Sequence, residues 1–208
     1  MPTLRALLPA ERVVAVQGSL DVAVGAVRTD SRAVQPGDVV VCLPGYRSEG
    51  GETRADRHDF IPAALAAGAT ALVVEREIAA PPGVTVVRVA EPWAVVAEMA
   101  AALHGHPSHR LTMVGVTGTS GKTSTTYFVD AVLAAAGHRV ARLGTIEYRL
   151  GEHLVPAEQT TPEAPLLQGL LRQAVDAGCT AAVMEVSSHA LELRRVAAVE
   201  FDVAVFTN

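Results

Sequence analysis

The stretch Val114-Gly115-Val116-Thr117-Gly118-Thr119-Ser120-Gly121-Lys122-Thr123-Ser124 joins an apolar run to a segment with helical spacing, through a turn that holds two glycines and a lysine. Glycines in such a turn let backbone N–H groups converge on an anion, and the start of a helix adds favourable partial charge. A Lys-Thr pair then supplies a cation and a hydroxyl able to ligate magnesium. The stretch therefore reads as a phosphate-binding loop between a buried strand and a helix. Its spacing departs from the common pattern: two residues rather than four separate Gly118 from Gly121, and position 116 is valine.

Working outward, the second half alternates strand and helix. LTMVGVT reads as a buried strand, and Thr123 to Ala136 as a helix closed by Gly137, with apolar Phe128, Val132 and Ala135 sharing one face. HRVARLGTI, TAAVMEVSS and FDVAVFTN read as further strands, with a hairpin around Gly151 and a helix over APLLQGLLRQAVDAG. Such alternation predicts an α/β fold with a parallel sheet covered on both faces. The first half holds short valine-rich strands (VVAVQG, VAVGAVRTD, DVVVCLPG, ATALVVER, VTVVRVA), a helix over HDFIPAALAAGA and an alanine-rich helix opened by Pro92. RSEGGETRADR, from Arg47 to Arg57, reads as a surface loop. His104-Gly105-His106-Pro107-Ser108-His109 breaks the pattern and predicts a linker between a domain over 1–106 and another over 110–208. Three histidines there also admit a metal reading, but no Cys, Asp or Glu sits among them.

Composition narrows the classes. Of 208 residues, 50% are hydrophobic and 19% charged, which suits a buried core rather than disorder. The net charge of -5, with both signs interspersed, argues against a nucleic-acid groove or an anionic-membrane surface. Cys42 and Cys179 lie far apart in apolar runs and read as small core residues. The opening residues lack the pattern of a signal peptide, and no apolar run reaches the roughly 18–20 residues of a membrane span. The expectation is a soluble cytoplasmic protein.

Three further stretches carry polar residues in telling places. Glu185 ends an apolar strand where a lone carboxylate is costly to bury. It either faces the ligand crevice at the carboxyl end of a parallel sheet, beside a compensating magnesium ion, or emerges into solvent. Thr160-Thr161-Pro162-Glu163 reads as a helix start, with Thr161 as N-cap and Pro162 at the first position, and equally as a group of N–H and hydroxyl donors for an anion. Asp30-Ser31-Arg32 follows a strand and precedes a QPGD turn, an ordinary loop when read alone. Arg194 is expected to face solvent, and His189 stays open between site and packing residue.

The loop form TGTSGKT resembles that of the Mur ligases, the ATP-dependent enzymes that add amino acids to the UDP-muramyl precursor of peptidoglycan. TDSRAVQPGDVVVCLPG, LGTIEYRL, QTTPEAP, VMEVSSHALELRRV and FDVAVFTN narrow the resemblance, which spans nearly the whole chain, to the branch that adds the third residue, the UDP-N-acetylmuramoyl-tripeptide synthetases. The resemblance implies a mixed α/β substrate-binding domain followed by a P-loop parallel-sheet domain, incomplete at its C-terminus because the family continues past FTN with a further metal-binding segment and a third domain. It implies that an amino acid is joined to UDP-N-acetylmuramoyl-L-alanyl-D-glutamate through an acyl phosphate, with ATP and Mg2+ as cofactors; meso-2,6-diaminopimelate is the default, with lysine or another amine left open. It assigns Gly118, Thr119, Ser120, Gly121, Lys122, Thr123 and Ser124 to ATP, Thr123 and Glu185 to the metal, and Lys122 and Glu185 to catalysis. Ser31, Tyr46, Arg47 and Ser48 match positions at the uridine nucleotide, and Gln159, Thr160, Thr161, Ser187 and Arg195 positions at the rest of the UDP-muramyl peptide. Ser120 and Ser124 stand where the family commonly has Asn and Thr, and the stretch from Arg47 to Arg57 is longer than the family's short turn. On the residues alone, a binding module without catalysis and a different P-loop enzyme, such as a small kinase, stay open, although neither has a use for TTP or EVSSHAL.

Overall fold

Runs of β-branched valine favour extended backbone, and in this computed structural model they build the main sheet of each of two units, Met1–Leu103 and His104–Asn208. The structure describes residues 1–47, 53–79 and 81–208.

The first unit runs α1 (Leu4–Leu7), β1 (Val13–Gln17), β2 (Val27–Arg28), β3 (Val39–Val41), β4 (Tyr46–Arg47), β5 (Thr53–Arg54), α2 (Ile61–Ala66), β6 (Ala71–Val74), β7 (Thr85–Val89) and α3 (Pro92–Leu103). Its sheet has the order β1-β7-β6-β3-β2, parallel except for β1, which pairs antiparallel with β7. Val40, Cys42, Leu72, Val74 and Val86 form a core with Ala64 of α2. Burial pushes the Cys42 thiol up to about 12, and it also raises that of Cys179. Both cysteines are core residues with free thiols. Of the stretch expected as a surface loop from Arg47 to Arg57, residues 48–52 lie outside the described residues, and on either side of them Tyr46 pairs opposite Arg54 and Arg47 opposite Thr53.

The second unit runs β8 (Thr112–Thr117), α4 (Lys122–Ala135), β9 (Val140–Leu143), β10 (Glu147–Leu150), β11 (His153–Pro156), α5 (Ala164–Asp176), β12 (Ala181–Glu185), α6 (Ser188–Glu192) and β13 (Val203–Phe206). The sheet order is β11-β10-β9-β12-β8-β13. β9, β12, β8 and β13 are parallel, as the alternation predicts, and the β10–β11 hairpin around Gly151 adds an antiparallel margin that makes the sheet mixed. Strand alternation divides the core into two faces. Met113, Leu143, Tyr148 and Met184 pack with Leu167, Leu170 and Leu171 of α5. Val114, Val116, Val140 and Val183 pack against Val129 and Leu133 of α4.

The placement of two sequence features follows from these packings. The apolar stripe Phe128, Val132, Ala135 does not face the core: Phe128 is 72% and Val132 67% exposed. The inward face of α4 is Thr126, Val129, Asp130 and Leu133, because Thr123 must point at Glu185 and residues three, seven and ten positions on share its side of the helix. The buried Asp130 is held by Arg142 at 2.6 Å and by Arg149, while Arg142 also reaches Glu147 at 2.8 Å and lies over the Tyr127 ring. The expected start of α5 needs correction. The helix begins at Ala164 with Glu163 as N-cap, not at Thr161-Pro162, because the Thr161 side chain is buried in other work at the end of β12.

Candidate active site

The phosphate-type loop connects β8 to α4, at the carboxyl end of the parallel strands where ligands of open α/β sheets bind. Gly118 has φ +132° and Gly121 φ +84°, conformations that L side chains rarely adopt. A Cβ on Gly118 would also collide with the Thr207 hydroxyl. Lys122 opens α4, and its ammonium donates to the Gly118 carbonyl at 2.7 Å. The first-turn amides of α4 have no helical acceptor, so this end can receive an anion. The Thr119 N–H is engaged with Asn208 O at 2.9 Å. Ser120 and Ser124 are exposed.

Glu185 closes β12 on the α4 face of the sheet and is only 1% exposed, so it does not emerge into solvent. Its carboxylate accepts from neutral donors: the Thr123 hydroxyl lies 3.0 Å from both oxygens, the Thr145 N–H donates to Oε1 at 2.9 Å, and the Thr145 hydroxyl lies 3.2 Å from Oε2. Gly144 is glycine because the carboxylate lies against it; a Cβ there would come 3.1 Å from Glu185 Cδ. None of the ion pairs among the described residues includes Glu185. A buried carboxylate matched only by hydroxyl and amide donors, next to the Thr of a phosphate loop, fits a magnesium site built from Thr123 and Glu185.

The same network runs on to the QTT segment. The Thr160 hydroxyl is 3.1 Å from that of Thr145. Thr161 donates its hydroxyl to the Glu185 carbonyl at 2.9 Å and accepts the Ser187 N–H at 3.1 Å, which ties the segment to the turn after β12. Ser187 caps α6 by accepting the Ala190 N–H at 3.2 Å. Arg195 is buried, and its Nη1 donates to Gln159 Oε1 at 2.5 Å and to Thr161 O at 2.8 Å. The Tyr148 hydroxyl reaches Gln159 O at 2.5 Å. Thr123, Glu185, Gln159, Thr160, Thr161, Ser187 and Arg195 are thus brought into one hydrogen-bonded group. Thr145, absent from the sequence expectations, joins its two ends. LGTIEYRL quotes that threonine, but only the pairing of β9 with β12 shows that it meets Glu185. Arg194 is exposed, as expected.

In the first unit, Ser31 lines a pocket of about 340 Å³ with Asp30, Arg32, Arg54, Arg57 and Phe60. Asp30 accepts the Arg32 N–H at 2.9 Å and pairs with the Arg32 guanidinium at 2.6 Å, which draws its carboxyl down to about 2. The pocket therefore sets three guanidinium groups against one carboxylate and offers an aromatic ring. Between the lining residues Ala55 and Arg57, Asp56 accepts from His58 Nδ1 at 2.6 Å and from Arg76 at 2.8 Å. Tyr46 and Arg47 lie in β4. Ser48 lies outside the described residues. Arg54, Arg57 and Phe60 had no signal in the sequence beyond their place within or just after the polar stretch from Arg47 to Arg57.

Known proteins show the same layout. The Mur ligase catalytic domain matches residues 23–110, and the Mur ligase middle domain matches residues 116–208. The chain belongs to the Mur ligase family. Among curated relatives, the UDP-N-acetylmuramoyl-L-alanyl-D-glutamate--2,6-diaminopimelate ligase of Geobacter sulfurreducens is 48% identical over 94% of this chain and 37% of its own length. A solved ligase of the same name superposes with a TM-score of 0.79 at 25% identity, over 100% of this chain and 40% of that one. The MurF ligase of Thermotoga maritima, solved in complex with ADP, superposes with a TM-score of 0.56 at 27% identity, over 87% of this chain and 36% of that one. The chain spans about two fifths of the length of such relatives. No helix among the described residues is long and apolar enough to cross a membrane.

Proposed function

We propose that this Mur ligase chain supplies the UDP-substrate-binding and ATP-binding parts of a cytoplasmic ligase that joins 2,6-diaminopimelate to UDP-N-acetylmuramoyl-L-alanyl-D-glutamate. The observation that carries the reading is the buried Glu185 carboxylate, which Thr123 of the phosphate loop holds on one side and Thr145, backed by Thr160, on the other. An ATP-driven amide synthesis needs phosphoryl transfer to a carboxylate, and that step is mainly positioning and charge neutralisation. Lys122 and the first-turn amides of α4 receive the phosphates, with Gly118 through Ser124 as the loop that surrounds them. Thr123 and Glu185 hold magnesium, which when bound would neutralise phosphate charge. Thr160 and Ser187 orient the acceptor peptide, and Arg195 acts by fixing Gln159 and Thr161 in place. Ser31, Tyr46, Arg47 and Ser48 serve the uridine nucleotide, with Arg54 and Arg57 suited to its diphosphate.

The test is phosphate release by the whole protein that carries this chain, supplied with ATP, the UDP-muramyl dipeptide and diaminopimelate. Lys122→Ala is expected to abolish turnover while leaving UDP-substrate binding largely intact. Undiminished turnover in that variant would sink the assignment of the loop. Binding of both nucleotides without phosphate release from the unaltered protein, with every candidate amino acid, would leave a binding module in place of a ligase.

A further inference from the structure

The phosphate loop is not supported by its own strand and helix alone. β13 runs parallel to β8 with Phe206 opposite Thr117, and the chain that leaves it follows the loop. The Thr207 N–H donates to Thr117 O at 2.9 Å, and the Thr207 hydroxyl lies 2.6 Å from Ser120 O and 3.1 Å from Thr117 O. The absence of a side chain at Gly118 is what lets Thr207 come this close. We propose that Thr207 is a positioning residue for nucleotide binding, acting through the Ser120 carbonyl to set the orientation of the Ser120–Gly121 peptide.

The physical reason is peptide geometry. A planar trans peptide points its C=O and its N–H in opposite directions. Holding the Ser120 carbonyl toward Thr207 therefore aims the Gly121 N–H to the opposite side of the loop, away from β13. Gly121, at φ +84°, could otherwise rotate this peptide at little cost. An inverted peptide would present a carbonyl oxygen where a phosphate requires a donor. The Thr207 hydroxyl thus stabilises the binding-competent loop before the nucleotide arrives, without touching it.

This inference rests on the reading of the loop as an ATP site, and the experiment separates the two. ATP and UDP-substrate affinities are measured by titration on the whole protein and on its Thr207→Val and Thr207→Ser variants, together with Tm and the Michaelis constant for ATP. Thr207→Val keeps the shape and loses the hydroxyl; it is expected to weaken ATP binding by about three- to tenfold, the scale of one neutral hydrogen bond. Its affinity for the UDP substrate and its Tm should stay at the level of the unaltered protein, and Thr207→Ser should restore ATP binding. Wild-type ATP affinity in Thr207→Val would overturn the proposal. So would a Thr207→Ser variant as weak as Thr207→Val, or an equal loss of UDP-substrate affinity. Failure of the unaltered protein to bind ATP would instead overturn the reading of the loop itself.

Discussion

Glu185 shows what a single residue contributes and what it costs. Taking an isolated carboxylate out of water carries a penalty of several kcal/mol, and three neutral donors offset only part of it. On the proposed magnesium site, the remainder is stability given up for an oxygen ligand kept dry and oriented. Thr145 matters because its hydroxyl and its N–H each hold one carboxylate oxygen. Thr145→Val removes the hydroxyl and keeps the N–H. If Glu185 holds magnesium as proposed, it should lower magnesium affinity or activity by about 10- to 100-fold, and it should cost about 1–3 kcal/mol of stability because a buried carboxylate loses a donor. Magnesium titration of nucleotide binding checks this; an unchanged magnesium dependence would remove Thr145 from the site. Glu185 was legible in the sequence as the one charged residue closing an apolar strand. Thr145 was not, since its role follows from β9 lying beside β12, and strand order is written in no local pattern.

At the scale of an element, α4 illustrates how a site sets the phase of a helix. The apolar face that holds Phe128 and Val132 is turned outward, and the side facing the sheet carries Thr126 and Asp130. The Thr123–Glu185 contact fixes the rotation, and the polar residues this turns inward are then matched by Arg142 and Arg149 from β9 and β10. Asp130→Ala would take a partner from Arg149 and leave Arg142 with Glu147 as its carboxylate, and should destabilise the second unit by about 1–3 kcal/mol. Phe128→Ser in the 208-residue chain should change stability by no more than about 0.5 kcal/mol. Denaturant unfolding measures both, and a larger loss at Phe128 than at Asp130 would refute this phase. The QTTP turn teaches the same point. Its Thr-Pro pair has the chemistry of a helix start, but the Thr161 hydroxyl and the Ser187 N–H satisfy each other across the end of β12, and the helix waits until Ala164.

For the whole molecule, each unit has its own sheet and core, so binding to each should be separable by mutation. Arg57→Ala in the pocket beside Ser31 should weaken binding of the uridine nucleotide by about tenfold or more, the scale of a charge-assisted hydrogen bond, while ATP binding stays as it was. A parallel loss of ATP affinity would mean that the substitution acts through the fold instead. The sequence by itself determined the α/β class, the glycine turn between β8 and α4, the hairpin at Gly151 and which polar residues are candidates for a site, because glycine turns, apolar periodicity and a charge closing a strand are local signals. The tertiary structure alone decided which of those residues meet: Glu185 with Thr145, Arg195 with Gln159, Thr207 with the loop, and Arg54 and Arg57 with Ser31. The first three pairings are hydrogen bonds between residues 40, 36 and 87 positions apart, and contacts across such separations depend on which strands become neighbours, not on the residues that flank each partner.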